Sequence, residues 1–99
     1  MEKKQGNVFL LTKSPATVRA ELCIKLALRS GNARIYLTAD GVYHLLSGIE
    51  DLQNCKIYAC RDDLEARGIR PGKKVVVPDD FYADLIKDLM ETCRHNYTF

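Results

Sequence analysis

Val8-Phe9-Leu10-Leu11-Thr12, followed at once by Lys13-Ser14-Pro15, is the stretch on which the fold turns. Four consecutive apolar residues with no polar alternation mark a short strand covered on both faces. Ser14 is a candidate N-cap and Pro15 stands at the first helical position, so a helix is predicted to begin there. It should run to about Ser30 and stop at Gly31-Asn32, a helix-ending pair.

The same grammar repeats outward from this unit. Ala33 to Thr38 is a second strand, leading through Asp40-Gly41 into a short helix, Val42 to Leu46, closed by Ser47-Gly48. Lys56-Ile57-Tyr58-Ala59-Cys60 is the third strand, and Asp62 to Arg67 a helix ended by Gly68. Lys74-Val75-Val76-Val77 is the fourth strand. Pro78-Asp79 then opens a helix whose apolar positions Phe81, Leu85, Ile86, Leu89, Met90 and Cys93 keep a helical period. Strands alternating with helices predict an α/β fold of three layers, α/β/α, around a mainly parallel sheet of four to five strands. Right-handed crossovers place Lys13-Ser14, Asp40-Gly41, Cys60-Arg61 and Pro78-Asp79 along one edge of that sheet. Ligands and chemistry gather at the carboxyl ends of such strands.

Composition narrows the function classes. Ninety-nine residues make a single domain, 1–99, with residues 1–7 expected to be disordered. A 46% hydrophobic fraction and 28% charge are globular values. Fifteen Lys and Arg against thirteen Asp and Glu leave +2, which is not the footprint of a direct DNA binder. No apolar run is long enough to cross a bilayer, and the N-terminus lacks the apolar core of a signal peptide, so a soluble, cytoplasmic protein is expected. Cys23, Cys55, Cys60 and Cys93 lie 32, 5 and 33 residues apart, which resembles no disulfide framework and no zinc site. Cys55 and Cys60 point to opposite faces of one strand, ~16 Å apart at ~3.3 Å per residue, and cannot bridge.

Cys60 is the cysteine whose place is informative, at the end of a strand and the start of a helix. A helix N-terminus favours a thiolate, and Arg61 and Arg67 add to it, whereas Asp62, Asp63 and Glu65 oppose it. The plain alternative is a half-buried structural cysteine; Cys23 and Cys93 read as core residues. Lys13 and Arg61, from nearby turns, are candidates for holding an anionic sulfur species. Asp40 reads as a cap of its own helix, and His44 as a packing histidine. No glycine fingerprint, P-loop or nucleophile elbow is present. Arg67, Arg70, Lys73 and Lys74 form a small basic patch, a weak pointer to RNA. In the first helix, Ala20, Leu22, Cys23, Ile24, Leu26, Ala27 and Leu28 cover an arc of roughly 240°, where a surface helix needs a stripe of ~100°. The excess predicts association with another surface.

Leu10-Leu11-Thr12-Lys13-Ser14-Pro15, Asp40-Gly41-Val42-Tyr43, and Ile57-Tyr58-Ala59 with Asp63-Leu64-Glu65-Ala66-Arg67-Gly68-Ile69 resemble the TusB/DsrH family of small sulfur-relay subunits. The resemblance runs from about Val8 to the aromatic C-terminus, with Phe99 where many TusB chains end in Trp. It implies a DsrE/F/H-like α/β fold and homo- or hetero-oligomers with DsrE/DsrF or TusC/TusD-type subunits. It also implies passage of persulfide sulfur between donor and acceptor proteins, toward tRNA 2-thiouridine formation or sulfur oxidation. Cys60 stands seven residues before Arg67-Gly68, where the related TusD/DsrE subunits place their sulfur-carrying cysteine. Cys23 resembles the helix-borne cysteine of DsrH and is the second candidate. No metal or organic cofactor is expected, because sulfur passing between thiols is exchange chemistry. Two rival readings stand beside a catalytic sulfurtransferase subunit: a non-catalytic scaffold subunit completing a hetero-oligomer, and a stand-alone nucleotide- or RNA-binding module.

Overall fold

A computed structural model describes residues 6–99. Of the seven residues expected to be disordered, 1–5 lie outside the described residues, and Asn7 instead opens the first strand. Five strands form one sheet: β1 (Asn7–Leu11), β2 (Ala33–Leu37), β3 (Cys55–Ala59), β4 (Val75–Val76) and β5 (His95–Thr98). Their order is β4-β3-β2-β1-β5 and every neighbouring pair is parallel, with Phe9 opposite Ile35 and Tyr97, and Tyr58 opposite Tyr36 and Val76.

The strand order dictates where the helices lie. From β1 to β4 the chain steps always in one direction, so right-handed crossovers put every connection on one face. Those connections are α1 (Val18–Ser30), a 3-10 segment (Ala39–Ser47) with a further turn (Ile49–Asp51), and α2 (Arg61–Arg67). The return from β4 to β5 runs the other way, and α3 (Phe81–Lys87) therefore crosses the opposite face. Packing follows: Phe9, Leu11, Ile35, Leu37 and Ile57 join Ala20, Cys23, Ala27 and Leu64 in the larger core. Val8, Tyr36 and Cys60 join Phe81 and Leu85 in the smaller one.

Several boundaries differ from expectation for local reasons. The N-cap of α1 is Thr17, whose hydroxyl accepts from the Ala20 N–H at 3.2 Å and donates to the Ser14 carbonyl at 3.0 Å. Ser14-Pro15 thus forms the turn before the helix. The end at Gly31 is as predicted, with φ at 77°. The expected short helix after Asp40-Gly41 is a longer 3-10 segment, pressed so closely on β1 that a Cβ on Gly41 would lie 2.0 Å from the Leu11 carbonyl oxygen.

The last helix does not continue to Cys93. It widens into a π turn over Asp88–Thr92, where the buried Asp88 carboxylate accepts from Nε and Nη2 of Arg34 at 2.6 and 2.8 Å, the Tyr36 hydroxyl at 2.8 Å and the Thr92 hydroxyl. Burial pushes the Asp88 carboxyl up, but these bonds hold it below the usual range. The chain then leaves as β5, beyond the last strand expected from the sequence. Phe99 locks this edge: its N–H reaches Leu10 O and its carbonyl receives Thr12 N–H, each at 2.8 Å. Among the described residues no helix is long and apolar enough to cross a membrane.

Candidate functional site

The carboxyl edge of the sheet is organised around the N-cap of α2, Cys60, and a residue of its first turn, Asp63. Cys60 follows β3 directly; its N–H donates to Leu37 O and its carbonyl accepts the Leu64 N–H, which turns the chain into the helix. Its side chain lies on the α3 face beside Phe81 and Tyr36 and is 4% exposed. There it lines a cavity of about 210 Å³ between the starts of α2 and α3, walled by Arg61, Asp62, Pro78, Asp79, Asp80 and Tyr82.

Three residues on, Asp63 ties β3 to β2. One carboxylate oxygen accepts the Thr38 hydroxyl and the Ala39 N–H, each at 2.8 Å. Ala39 has φ at 51°, left-handed backbone that an L residue adopts only under constraint. Burial pushes the Asp63 carboxyl up, yet the Ala39 N–H, the Thr38 hydroxyl, the Cys60 thiol and the nearby Arg67 charge together hold it below the usual carboxylate range. Arg67 completes the joint, reaching Asp40 at 3.1 Å and Asp63 at 3.3 Å with its guanidinium 5.8 Å from the centre of the Tyr43 ring. The Asp40-Gly41-Val42-Tyr43 segment and the Asp63 to Gly68 segment, far apart in sequence, are one ion-paired unit. Asp40 is therefore an ion-pair partner and not the cap expected; the 3-10 segment has no side-chain cap.

The predicted site residues are brought together only in part. Arg61 lines the Cys60 cavity, though its guanidinium pairs with the exposed Asp79 at 3.4 Å. Lys13 does not line it: β2 stands between β1 and β3, a separation of about 10 Å at ~4.8 Å per strand. The role of Lys13 is carried by its backbone, whose carbonyl meets Nε2 of buried His44 at 2.9 Å. Cys23 is fully buried on α1, and burial, with Cys55 nearby, pushes its thiol up to about 12. Cys55, at the amino edge, is pushed up by burial too. Cys93 is buried where the π turn ends, its thiol donating to Leu89 O at 3.6 Å. The basic patch disperses, with Arg67 turned to Asp40 and Lys74 paired with Asp51 at 3.1 Å. Among the described residues no three metal-ligating side chains gather.

Tyr82 is a site residue that the sequence does not point to, and Asp63 reads from it only as a charge opposing the thiolate. Tyr82 closes the cavity with its hydroxyl 3.1 Å from that of Thr38. Asp63 carried one usable signal, an acidic residue at the third helical position after a turn, where carboxylates bind free N–H groups. Electrostatically, the cavity shows three carboxylates, Asp62, Asp79 and Asp80, against one guanidinium.

Comparison with known proteins places this geometry. A family model described as DsrH like protein matches residues 13–92. The chain belongs to the DsrH-like family. The match runs from the turn after β1 to the end of the π turn and so includes Lys13, Cys23, Cys60 and Arg61. At family level this DsrH-like chain is a sulfur-relay-related small subunit, of a family that works in complexes with DsrE- and DsrF-type partners. Among solved structures it is similar to the ychN protein from E. coli, at 18% identity with a TM-score of 0.73, covering 96% of this chain and 99% of that one. That likeness shows the fold: a parallel α/β sheet of the kind predicted, with five strands where four to five were expected. Comparison with curated proteins finds no match.

Proposed function

We propose that this DsrH-like subunit takes part in sulfur relay by accepting a sulfane sulfur on Cys60 and handing it to the next thiol. The observation that supports this is positional: of the four cysteines, Cys60 alone lines the cavity at the carboxyl edge, between two helix starts. The Cys60 sulfur attacks the outer sulfur of a donor persulfide; a new S–S bond forms at Cys60, the donor's S–S bond breaks, and the donor leaves as a thiolate that takes up the proton Cys60 gave away. Nothing is oxidised or reduced overall, so the step needs no cofactor. In this reading the downstream destination is tRNA 2-thiouridine or sulfur oxidation, and the partners are subunits of the DsrE/DsrF or TusC/TusD type; membership of the DsrH-like family supports both. A cytoplasmic setting belongs to this reading.

A scaffold reading has its own support in the small exposure of Cys60 and the acidic rim. One experiment separates the two. The chain is incubated with a persulfidated donor protein, and each cysteine is mapped by mass spectrometry for the mass of an added sulfur. Sulfur on Cys60, lost in Cys60→Ser and retained in Cys23→Ser, supports the relay. Unchanged activity of a reconstituted complex carrying Cys60→Ser supports the scaffold.

A further inference from the structure

Cys60 lines its cavity almost wholly buried, so a sulfur carried on another protein cannot touch it until part of the wall moves. The walls differ in how firmly they are held. Cys60 itself is fixed through its backbone, by Leu37 O and the Leu64 N–H. Phe81 is buried and packs edge-on against Tyr36, with ring centres 5.6 Å apart. Tyr82 is held far less. It is 53% exposed and rests edge-on against Phe81 at 5.2 Å. Among the described residues its side chain has one hydrogen bond, between its hydroxyl and that of Thr38 at 3.1 Å.

The strand register puts that bond beside the thiol. Tyr36 stands opposite Tyr58 and Leu37 opposite Ala59, so the next pair along is Thr38 and Cys60. Both keep extended backbone, in which side chains alternate between faces. Thr38 and Cys60 therefore lie on the face that Tyr36 and Tyr58 share, one strand spacing of ~4.8 Å apart. Counting protons then fixes the direction of the bonds. The Asp63 carboxylate, held ionised, only accepts, and the single Thr38 hydroxyl proton goes to it at 2.8 Å. Tyr82 must then donate to Thr38, so its own proton is spent and is not offered to the sulfur. When Tyr82 withdraws, Thr38 keeps its bond to Asp63, and opening breaks one neutral hydrogen bond without stranding a buried donor. We infer that Tyr82 is a latch over Cys60, swinging off Thr38 to admit the outer sulfur of a donor persulfide. As a control point in relay the latch rests on the reading of Cys60 as sulfur acceptor. Tyr82 is a positioning residue there and takes no part in the exchange of S–S bonds.

The test compares the full chain with Tyr82→Phe, which keeps the ring and loses the bond, and Tyr82→Ala, which loses both. Each is treated with iodoacetamide at neutral pH, and labelling of every cysteine is followed separately by mass spectrometry. Tyr82→Phe should speed Cys60 labelling about two- to twelvefold, the worth of one neutral hydrogen bond. Tyr82→Ala should speed it more. Cys93 lies in the same small core and Cys23 in the larger one, so neither should change. A merely structural role of Tyr82 would raise Cys93 along with Cys60, or Cys23 as well where the whole domain is weakened. The same chains are then offered a persulfidated donor protein, and sulfur transfer to Cys60 should quicken in the same order. Cys60 labelling unchanged in both variants, or rising only in step with Cys93 or Cys23, overturns the latch even where sulfur reaches Cys60. Labelling that responds as expected in chains that take up no sulfur keeps Tyr82 as the latch and overturns the relay instead.

Discussion

Replacing Asp63 by alanine should destabilise this domain more than any other exchange of a partly exposed polar residue at the carboxyl edge. The loss can be worked from its partners. The Thr38 hydroxyl keeps Tyr82, and Arg67 keeps Asp40, so neither is stranded. The Ala39 N–H is stranded, and a hydrogen bond to a charged acceptor is worth about 1.5–3 kcal/mol. Ala39 also holds a left-handed conformation (φ 51°) that disfavours an L residue by about 1–2 kcal/mol, and the lost bond is what helps to hold it. The strain is present in both chains, so with a few tenths more for the Arg67 pair the loss is about 2–3 kcal/mol. At ~4–8 °C per kcal/mol for a domain of this size, the midpoint should fall by roughly 8–24 °C. Asp63→Asn, which keeps one acceptor oxygen, should lose about half as much. The pH dependence carries a sign. The carboxyl is held below its ordinary value, so its contribution is present above the unfolded pKa near ~3.9 and is lost as pH falls through the native value. Thermal and urea melts of the three chains between pH 3 and pH 7 provide the measurement. An Asp63→Ala chain within about 0.5 kcal/mol of the parent at pH 7, or a difference that does not shrink on acidification, would refute the reasoning.

Three further outcomes follow from the same structure. Cys23, fully buried with its thiol near 12, should react with alkylating reagents only through unfolding, so its labelling rate should track denaturant stability; labelling at native rates like those of an exposed thiol contradicts the packing. Gly41→Ala sets a methyl against the Leu11 carbonyl and should destabilise by about 3 kcal/mol or more, read from urea melts; a chain of parental stability would show that this approach is not rigid. His44 is held neutral, chiefly by burial, with its folded pKa below the ordinary value. The stability it contributes is complete above about 6.5 and declines as pH falls below it; an NMR titration of the ring with a midpoint above that value excludes this.

Much of the fold was readable because β1 and β2 are short runs buried on both faces, β3 keeps Ile57 and Ala59 buried, and β4, though half-buried, is a run of valines. β5 carries no such mark. His95–Thr98 is an edge strand whose four residues are all exposed, so no hydrophobic pattern announces it, and it is positioned by backbone pairing with β1 and by Phe99. The shift of the α1 cap from Ser14 to Thr17 has a similar origin. Both hydroxyls suit a cap, and the choice is made by the turn at Ala16, whose φ of 70° is not written in residue type. The π turn at Asp88 answers to Arg34 and Tyr36, which lie more than fifty positions earlier. The over-wide apolar arc of α1, by contrast, was plain in the sequence, because a helix exposes its periodicity whether or not a partner is present.

The candidate site divides along the same line. Cys60 was legible because a strand end followed by a helix start is a local event. Lys13 was misplaced because the order of strands is not local, and β2 inserts itself between the two turns. Asp63 was weighed only as a charge beside a thiol, yet its bonds to Thr38 and Ala39 make it the joint between β2 and β3. This changes the meaning of the spacing from Cys60 to Arg67-Gly68. The helix turn that presents the thiol is fixed by Asp63 and Arg67 gripping the Asp40 segment, so that spacing is required by the architecture whether or not sulfur is carried. Motif position therefore identifies the place where a thiol would stand at the sheet edge, and the chemistry must be decided at the cavity itself. There, a nearly buried thiol beside the carboxylates of Asp62, Asp79 and Asp80 repels a small anionic sulfur species. Delivery by a partner protein, whose own residues can neutralise that rim on docking, is the form of relay that this edge accommodates.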